Sequence, residues 1–578
     1  MYRLLELVLL CHGISSALAS LDGNCPPLGA VLPAPRHPSS DPAVASAVAA
    51  YKALQDERIS TGALLNTTAV AVGVKSIHES SLMLEYHHTP AEAFRDPRGA
   101  QRVDSDTVFR LASMSKLFPV LAFLRLSGVS FEDPITKYVP ELRKLGREAR
   151  AQTPVWTVDW ESVTVGALAS HLGGIAADMT TDLAEFADLS AYGLPPRNDS
   201  RLLHCSGLLG TAECDRKVFF GRFGERAPVE LPFSPNTVYS NIGFALIGFA
   251  VEEVTGRSFN DVLVHDIWAP LGMTRSFPTK PDDSLGYIPR DDLWWNATLG
   301  FESPAGAYYS TINDLHRFGD AILQNRLLTD TQTRKWLKPV TETSSAGLLV
   351  GQPWEIFRTQ NVTVDGRLVE LYTKGGDVKT YHSLLALIPD YDLVATILIA
   401  GEDSGGLDVL LLFSQLVQTL LPAVEQAGKS ETQLAYAGTY TDTASNSAVS
   451  LTLDDAPGLN VSSWVVRGVD VRTTIAGLDL PPISTPPQNP PAQFRAYPTT
   501  VVSDSQTSWR AIPGAPAEEV AALEAQFAWA MPSCYTWAGT DRLTYMLQSQ
   551  DHFVFKLEDG KAAALELVGY GVTLTRNE

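Results

Sequence analysis

Positive charge, cysteine and long apolar runs are all scarce in this 578-residue chain. Its 44 lysines and arginines stand against 65 aspartates and glutamates, which gives a formal net charge of −21 at pH 7. Without a basic patch, the chain has no means to neutralise nucleic-acid phosphates or to dock on an anionic lipid surface. Beyond the signal-like N-terminus we find no apolar run of the roughly 18–20 residues that a spanning helix requires. These absences predict no nucleic-acid partner and no membrane association.

Metal-binding patterns and internal repeats are missing as well. No cluster of cysteines and histidines has the spacing of a zinc site, and no similarity recurs at a period of about 20–50 residues. We therefore predict neither a metal nor a cofactor. The hydrophobic content of 45%, in contrast, is enough to fill large cores. The length leaves room for about two to four domains.

The N-terminal segment MYRLLELVLLCHGISSALAS has the features of a secretory signal peptide. Arg3 precedes a short apolar stretch, and Ala17-Leu18-Ala19 forms a small-residue cleavage pattern. Glu6 interrupts the apolar stretch, so a buried N-terminal helix is the alternative. We predict that residues 1–19 are removed and that the mature protein is secreted, extracellular and glycosylated. Five sequons agree with this route: Asn66, Asn198, Asn296, Asn361 and Asn460.

The five cysteines fit an oxidising compartment. Cleavage after Ala19 removes Cys11 and leaves four, which allow three pairings. We favour a Cys205–Cys214 bridge, because these two residues bracket a short loop. Cys25 and Cys534 then remain to join the two ends of the mature chain.

Periodicity divides the mature chain into two regions, residues 20–430 and 431–578. The first begins with a Pro- and Ala-rich lead-in to about residue 50, followed by alternating segments that predict a hairpin. Its middle is helical, with one helix ending at Gly256, and SLLALIPDYDLVATILIA predicts two apolar strands before a further helix. The polar EQAGKSETQ marks the boundary. Short alternating segments beyond it predict a small antiparallel sheet or barrel.

A serine and a lysine lie three residues apart in the apolar, helix-like run FRLASMSKLFPVLAFLRL, residues 109–126. An unpaired buried ammonium is costly, so Lys116 either lies along the surface with its stem on apolar neighbours or has a partner. Positions i and i+3 share one face of a helix, which would let Lys116 reach Ser113 and activate its hydroxyl. This spacing also occurs by chance. Pro119 is expected to clash with the Ser115 carbonyl and to bend the helix.

Further motifs, in order, resemble those of the serine hydrolases related to class C β-lactamases, DD-peptidases and similar esterases. FRLASMSK is similar to the family's nucleophile segment, and FEDPITKYVPEL follows it. TVGALASHLGGI, VYSNIGFALIGFAVEEVTG, PLGMTRSF, SPAGAYYSTINDLHRF and YTKGGD match the later segments in the family's order. Each motif is weak alone, but together they span residues 45–425. The chain is identified as a member of this family, of the kind that eukaryotes secrete.

The resemblance assigns a role to each residue of the candidate site. Ser113 is the nucleophile, and Lys116 is the base whose pKa desolvation would lower. Tyr239, between Lys116 and Lys374, is the other candidate base or a proton shuttle, and the choice between the two stays open. Asn241 is expected to donate to the carbonyl of the substrate's acyl group.

By the same resemblance, two backbone N–H groups stabilise the oxyanion. One belongs to Ser113, at the start of its helix, and the other to Asp377, on an edge strand just after Lys374-Gly375-Gly376. Gly375 stands where β-lactamases and DD-peptidases have a hydroxyl residue that helps to hold a substrate carboxylate. This departure weakens the case for antibiotic or peptidoglycan-type substrates.

Two other residues in the matched segments receive supporting roles. His171 is expected to pack or to form a structural hydrogen bond. Asp314 is expected to cap a helix, not to act as a catalytic acid.

Residues and resemblance together predict an α/β (α+β) protein with a β-lactamase/penicillin-binding-protein-like transpeptidase fold. An antiparallel sheet flanked by helices and an all-helical lobe precede a C-terminal β-rich domain. We expect a secreted serine hydrolase that acts through a Ser113 acyl-enzyme on a small-molecule ester or amide. An acyltransferase using the same acyl-enzyme is one alternative. A catalytically silent binding protein is the other, although the retained Ser113, Lys116, Tyr239 and Lys374 speak against it.

Overall fold

A computed structural model describes residues 26–64, 66–149, 155–179, 182–205, 211–214, 216–224, 226–474, 493–514, 525 and 536–577. The predicted signal peptide and the predicted Cys25–Cys534 bridge lie outside these residues.

The first described region is built on a sheet of eight antiparallel strands. Two neighbouring inner strands, the predicted apolar pair, are buried along their whole length, because helices cover both faces of the sheet. The predicted hairpin is confirmed in part: Ala69–Ser76 pairs with Leu84–His88 at one edge of the sheet, whereas Phe109–Arg110, at the end of the alternating segments, pairs with Tyr309–Ser310. The strand order is β2-β1-β10-β9-β8-β7-β6-β5, and a separate pair is formed by β3 and β4. The bounds are β1 Ala69–Ser76, β2 Leu84–His88, β3 Phe109–Arg110, β4 Tyr309–Ser310, β5 Thr341–Glu342, β6 Leu348–Val350, β7 Glu355–Thr359, β8 Val369–Val378, β9 Tyr381–Ile388 and β10 Leu393–Ala400.

The helices divide between the two faces of this sheet. The first and last of the longer helices pack on one face, and the helical lobe that contains the nucleophile segment packs on the other. The longer helices are α1 Pro42–Thr61, α2 Leu117–Leu124, α3 Pro140–Ala149, α4 Arg216–Phe223, α5 Asn241–Thr255, α6 Ile312–Leu323, α7 Asp330–Trp336 and α8 Gly406–Ala435. Shorter helical segments are Val165–Ala169, Phe259–Val262, Leu263–Trp268, Ala269–Leu271, Ser303–Gly306, Val471–Thr474 and Thr536–Gly539.

Helix ends agree with the local sequence in two places. The Ser240 side chain accepts from the N–H of Gly243 and caps the start of α5. Gly256 ends α5 in the left-handed region, at φ 66°, which is the predicted end of that helix.

The last helix corrects two expectations. The segment EQAGKSETQ does not separate the two regions, because α8 continues through it to Ala435. The helix is also long and apolar enough, by length and composition alone, to cross a membrane, so the expectation that no such run exists was wrong. In the structure α8 packs through Leu412, Leu416 and Leu420 against the sheet. The lead-in differs too, since α1 already begins at Pro42.

The C-terminal region forms a closed antiparallel barrel. Eight strands pair in the order β12-β11-β21-β20-β19-β16-β15-β13, and β13 pairs back onto β12. Trp464, Trp509, Phe553 and Phe555 fill the interior, as expected for alternating strands with one buried face. The predicted sheet or barrel is therefore confirmed as a barrel. The bounds are β11 Gly438–Asp442, β12 Ser447–Thr452, β13 Leu459–Val466, β14 Val469–Asp470, β15 Gln493–Val502, β16 Gln506–Gly514, β17 Thr544–Tyr545, β18 Gln548–Ser549, β19 His552–Glu558, β20 Lys561–Leu567 and β21 Val572–Arg576.

Two predicted covalent features, the Cys205–Cys214 disulfide and the glycosylation sites, lie among the described residues. A disulfide joins Cys205 and Cys214, as predicted. Glycosylation remains a prediction, although the sequons are accessible. Asn66, Asn198, Asn296 and Asn361 are exposed, and Asn460 is partly buried.

Candidate active site

The nucleophile segment is not one continuous α-helix. A 3₁₀ turn covers Ala112–Lys116, and α2 begins only at Leu117. In a 3₁₀ turn, residues i and i+3 eclipse each other, which brings Ser113 and Lys116 together. Pro119 is therefore only the third residue of α2, and the expected clash with the Ser115 carbonyl stays a prediction.

The residue before Ser113 has an uncommon backbone conformation. Ala112 has φ 46°, in the left-handed region, which L-residues with a Cβ rarely adopt. The chain thus turns sharply between β3 and the 3₁₀ turn. Ser113 follows in the first turn, at the N-terminal end of the helical segment, where backbone N–H groups point out of the helix. Such strained positions cluster at functional sites.

Lys116 is completely buried, and its ammonium is hydrogen-bonded. Its Nζ lies 2.9 Å from Ser113 Oγ, 2.7 Å from Asn241 Oδ1 and 2.8 Å from the Ala305 carbonyl oxygen. The surface alternative for Lys116 is therefore excluded. Burial disfavours the charged ammonium and lowers the pKa of Lys116, and the nearby Lys374 charge acts in the same direction.

Tyr239 faces both lysines across the cleft. Its ring centroid lies 5.0 Å from Lys116 Nζ and 5.6 Å from Lys374 Nζ. Burial of the phenol by itself would raise the pKa, but the two ammonium charges outweigh this and lower the pKa of Tyr239. Although 43% of the residue is exposed, its charged neighbours are fully buried. The low exposure of these neighbours explains why their charges act on the phenol so strongly.

His171 supports Tyr239 from behind, and its expected packing and hydrogen-bonding role is confirmed. The two rings stack with centroids 4.3 Å apart, and His171 Nδ1 accepts the N–H of Ser240 at 3.1 Å. Burial, with the charges of Lys116 and Lys374, holds the pKa of His171 well below its usual range. A neutral imidazole therefore fixes the backbone that carries Tyr239.

Lys374 binds a carboxylate that the motifs did not reveal. Its Nζ lies 2.6 Å from Glu355 Oε1 and 2.7 Å from the Gly375 carbonyl oxygen. The other carboxylate oxygen of Glu355 accepts the N–H of Gly375 at 2.9 Å. Burial alone would lower the pKa of Lys374, but the Glu355 and Tyr239 side chains outweigh this and raise it.

The strand that carries Lys374 is internal to the sheet, which corrects the expected edge strand. β8 lies between β7 and β9, but β7 begins opposite Thr373, so the last part of β8 is open on that side. The N–H of Gly375 points to the open side. Backbone groups alternate along a strand, so the N–H of Asp377 points the same way.

A close contact links this open stretch to the nucleophile. A Cβ atom on Gly376 would lie 2.1 Å from the Leu111 carbonyl oxygen and 2.9 Å from the Ser113 nitrogen. The Ser383 hydroxyl, on β9, also donates to the Leu111 carbonyl at 2.6 Å. The N–H groups of Ser113 and Asp377 are therefore held on one side of the cleft, where both could stabilise one oxyanion.

Asn241 and Asp314 have contacts that differ in part from the expected ones. Asn241 is the first residue of α5; its amide oxygen accepts from Lys116 and its amide nitrogen donates to Asp178 Oδ2 at 3.0 Å. Asp314 is not the cap of α6, because Thr311 has that position. Asp314 instead accepts from the N–H of Arg275 at 2.7 Å and ties the preceding loop to the helix.

Two cavities lie beside the Ser113–Tyr239 pair. One, of about 510 Å³, borders Ser113, Asn241 and Asp377. The other, of about 270 Å³, borders Tyr239 and Glu355. Within the described residues, no group of three His, Cys, Asp or Glu side chains could hold a metal ion.

Comparisons with known proteins agree with this geometry. The profile of the β-lactamase family matches residues 65–415, and a profile described as the C-terminal domain of β-lactamase-like proteins matches residues 428–578. A β-lactamase-like protein of Arthroderma benhamiae is 29% identical over 85% of this chain and 84% of its own length. The probable hydrolase clz13 of Cochliobolus lunatus is 25% identical over 88% of this chain and 85% of its own length.

Solved structures with the same kind of fold include a D-amino acid amidase from Ochrobactrum anthropi, which is 18% identical with a TM-score of 0.48 and covers 66% of this chain and 99% of its own. A class C β-lactamase from Rhodobacter sphaeroides is 18% identical with a TM-score of 0.45 and covers 65% of this chain and 99% of its own. The profile match over residues 65–415 places the chain in the class of β-lactamase-like hydrolases. The chain belongs to the β-lactamase family.

Proposed function

We propose that this protein is a secreted serine hydrolase that cleaves esters or small amides through an acyl-enzyme on Ser113. The observation that carries this proposal is the 2.9 Å contact between Lys116 Nζ and Ser113 Oγ, made by a lysine whose pKa burial lowers. A neutral amine at this distance is able to take the serine proton at a pH where a free lysine would stay charged.

The reaction follows from the positions of the groups. Ser113 Oγ attacks the acyl carbon and transfers its proton to the Lys116–Tyr239 pair. The N–H groups of Ser113 and Asp377 stabilise the oxyanion, and the pair then gives the proton to the leaving alcohol or amine. A water molecule releases the acyl group by the same route, with its proton again passing through the pair.

A covalent probe tests this proposal directly. A fluorophosphonate should label the wild-type protein, and intact mass and peptide mapping should place the adduct on Ser113. The variant Ser113→Ala should take no label, should lose turnover of activated esters and should unfold at the same temperature, because the change removes little packing. Ser115→Ala, two residues along the same turn, is the matched control and should still be labelled. An adduct on another residue, or a labelled Ser113→Ala variant, would contradict the proposal.

A further inference from the structure

The carboxylate of Glu355 occupies the space where Lys374 would meet a bound anion. Glu355 is the first residue of β7, and its two oxygens take the Lys374 ammonium and the Gly375 N–H at 2.6 and 2.9 Å. An ammonium and an adjacent backbone N–H are the groups that would bind a substrate carboxylate. In this protein both are already bound to a side chain of the chain itself.

The same arrangement sets the charge of the cavity next to Tyr239. Lys374 is only 1% exposed and does not border the cavity, whereas the Glu355 side chain is 34% exposed and does. Glu355 is the one carboxylate among the described residues that border it, and the buried His171 beside it is neutral. The remaining wall is mostly apolar and includes Leu348, Val350, Pro353 and Phe357.

Gly375 leaves the room that Glu355 needs. A Cβ atom at position 375 would lie 3.3 Å from Glu355 Oε2, which is a tight contact before any further side-chain atom is added. A threonine or serine there would require the carboxylate to shift by a few tenths of an ångström. A residue without a Cβ at position 375 therefore fits the observed position of the Glu355 carboxylate.

We infer that Glu355 determines specificity: it makes the cavity beside Tyr239 a leaving-group pocket for apolar alcohols without negative charge. This inference rests on the proposed function, because Tyr239 and Lys116 must protonate the leaving group and so define on which side it lies. A carboxylate on the alcohol would meet the Glu355 carboxylate in a partly desolvated pocket, where like charges repel strongly.

Two esters that differ only in this charge test the inference. Butanoate esters of 3-hydroxybenzamide and of 3-hydroxybenzoic acid have the same acyl group and alcohols of similar size. We expect the wild-type protein to prefer the neutral ester in kcat/KM by at least about tenfold. Glu355→Gln should reduce this preference by about tenfold, mainly through better use of the anionic ester. Glu355→Asp, which keeps the charge, should retain the preference.

Glu342→Gln is the matched control, because this glutamate is exposed on β5 of the same sheet and does not border the cavity. It should leave the ratio of the two kcat/KM values unchanged. Equal use of both esters by the wild-type protein, or an unchanged ratio in Glu355→Gln, would overturn the inference while leaving the proposed function intact. If the wild-type protein hydrolyses neither ester and takes no fluorophosphonate label, the proposed function fails and the inference fails with it.

Discussion

At the scale of single residues, the pKa values of the two candidate bases, Lys116 and Tyr239, are both lowered, but by different causes. Burial lowers the pKa of Lys116, whereas the charges of Lys116 and Lys374 lower that of Tyr239 against the effect of burial. Each shift increases the fraction of the group that has lost its proton near neutral pH. The two groups interact closely, so the pair is expected to titrate as one unit.

The pH dependence of kcat/KM should report this pair. The pair accepts the serine proton only after it has lost its own, so the rate should rise with pH, with a midpoint below the ordinary tyrosine pKa of 10.0. Tyr239→Phe should lower the plateau by about 10²- to 10⁴-fold, the usual contribution of a proton-transfer group. The measurement is initial rates on a neutral activated ester across pH.

Tyr192→Phe is the control for this variant, because Tyr192 is 84% exposed and does not border either cavity at the site. Its profile should match that of the wild-type protein. If Tyr239→Phe leaves both the plateau and the rising part of the pH profile of kcat/KM unchanged, the proton transfer belongs to Lys116 alone.

At the scale of elements, the site depends on how closely β8 approaches the nucleophile turn. Only a residue without a Cβ allows the strand to lie against the Leu111 carbonyl and the Ser113 nitrogen. The contact holds the two expected oxyanion donors in one geometry, although they lie on segments far apart in the sequence. Small displacements of such donors have large effects on rate.

Gly376→Ala should therefore separate the strand from the turn. The added methyl group has no space, so we expect kcat to fall by at least about 10²-fold, as for loss of one oxyanion donor. Overpacking should also lower the free energy of unfolding by about 1–3 kcal/mol. Gly221→Ala on α4 is the control, since a Cβ there meets nothing within 4 Å, and it should leave kcat unchanged. Full activity in Gly376→Ala would show that the contact is not needed.

The elements themselves show what the sequence reveals and what it does not. β9, β10 and the end of α5 were predicted, because apolar runs and Gly256 are local signals. The 3₁₀ turn at Ser113 could not be predicted, because its 112–116 sequence is also compatible with an α-helix. Ser113, Lys116, Tyr239 and Lys374 could be placed in one site only through their motifs.

Glu355 shows the limit of sequence reasoning at the site. It lies in PWEIF, which has no motif and only a short alternation. It reaches Lys374 because β7 and β8 pair with Glu355 opposite Thr373, and this register is a property of the folded sheet. A motif search therefore finds Lys374 and misses the carboxylate that is bound to it.

At the scale of the whole molecule, buried charges lie where the hydrolase region meets the barrel. Arg367 bonds Glu425 on α8 at 3.0 Å and the hydroxyl of Tyr391 at 2.9 Å, and Asp390 lies 3.8 Å away. Lys429, further along α8, bonds the carbonyl of Asp455 in the barrel region at 3.0 Å. In the lead-in, Val31 and Leu32 border the same cluster and contribute to the barrel core.

One member of this cluster should make stability depend on pH. Burial raises the pKa of Asp390 from 3.8 to about 6, although Arg367 acts against the shift. Between these two pH values the folded protein holds a proton that the unfolded chain has released. The contribution of Asp390 to stability is therefore present in full below pH 3.8 and is lost as the pH rises through about 6.

Asp390→Asn should remove this loss, because an amide of the same size carries no charge to bury. We expect the free energy of unfolding at pH 8 to rise by about 1–3 kcal/mol, with little change near pH 4, as the size of the pKa shift implies. Denaturant unfolding of the full chain at both pH values measures the difference. Asp455→Asn changes the net charge equally at an exposed position and should have no effect at either pH. A variant that is less stable than the wild-type protein at pH 8 would show that the Asp390 carboxylate is held charged by Arg367 and contributes favourably to the junction.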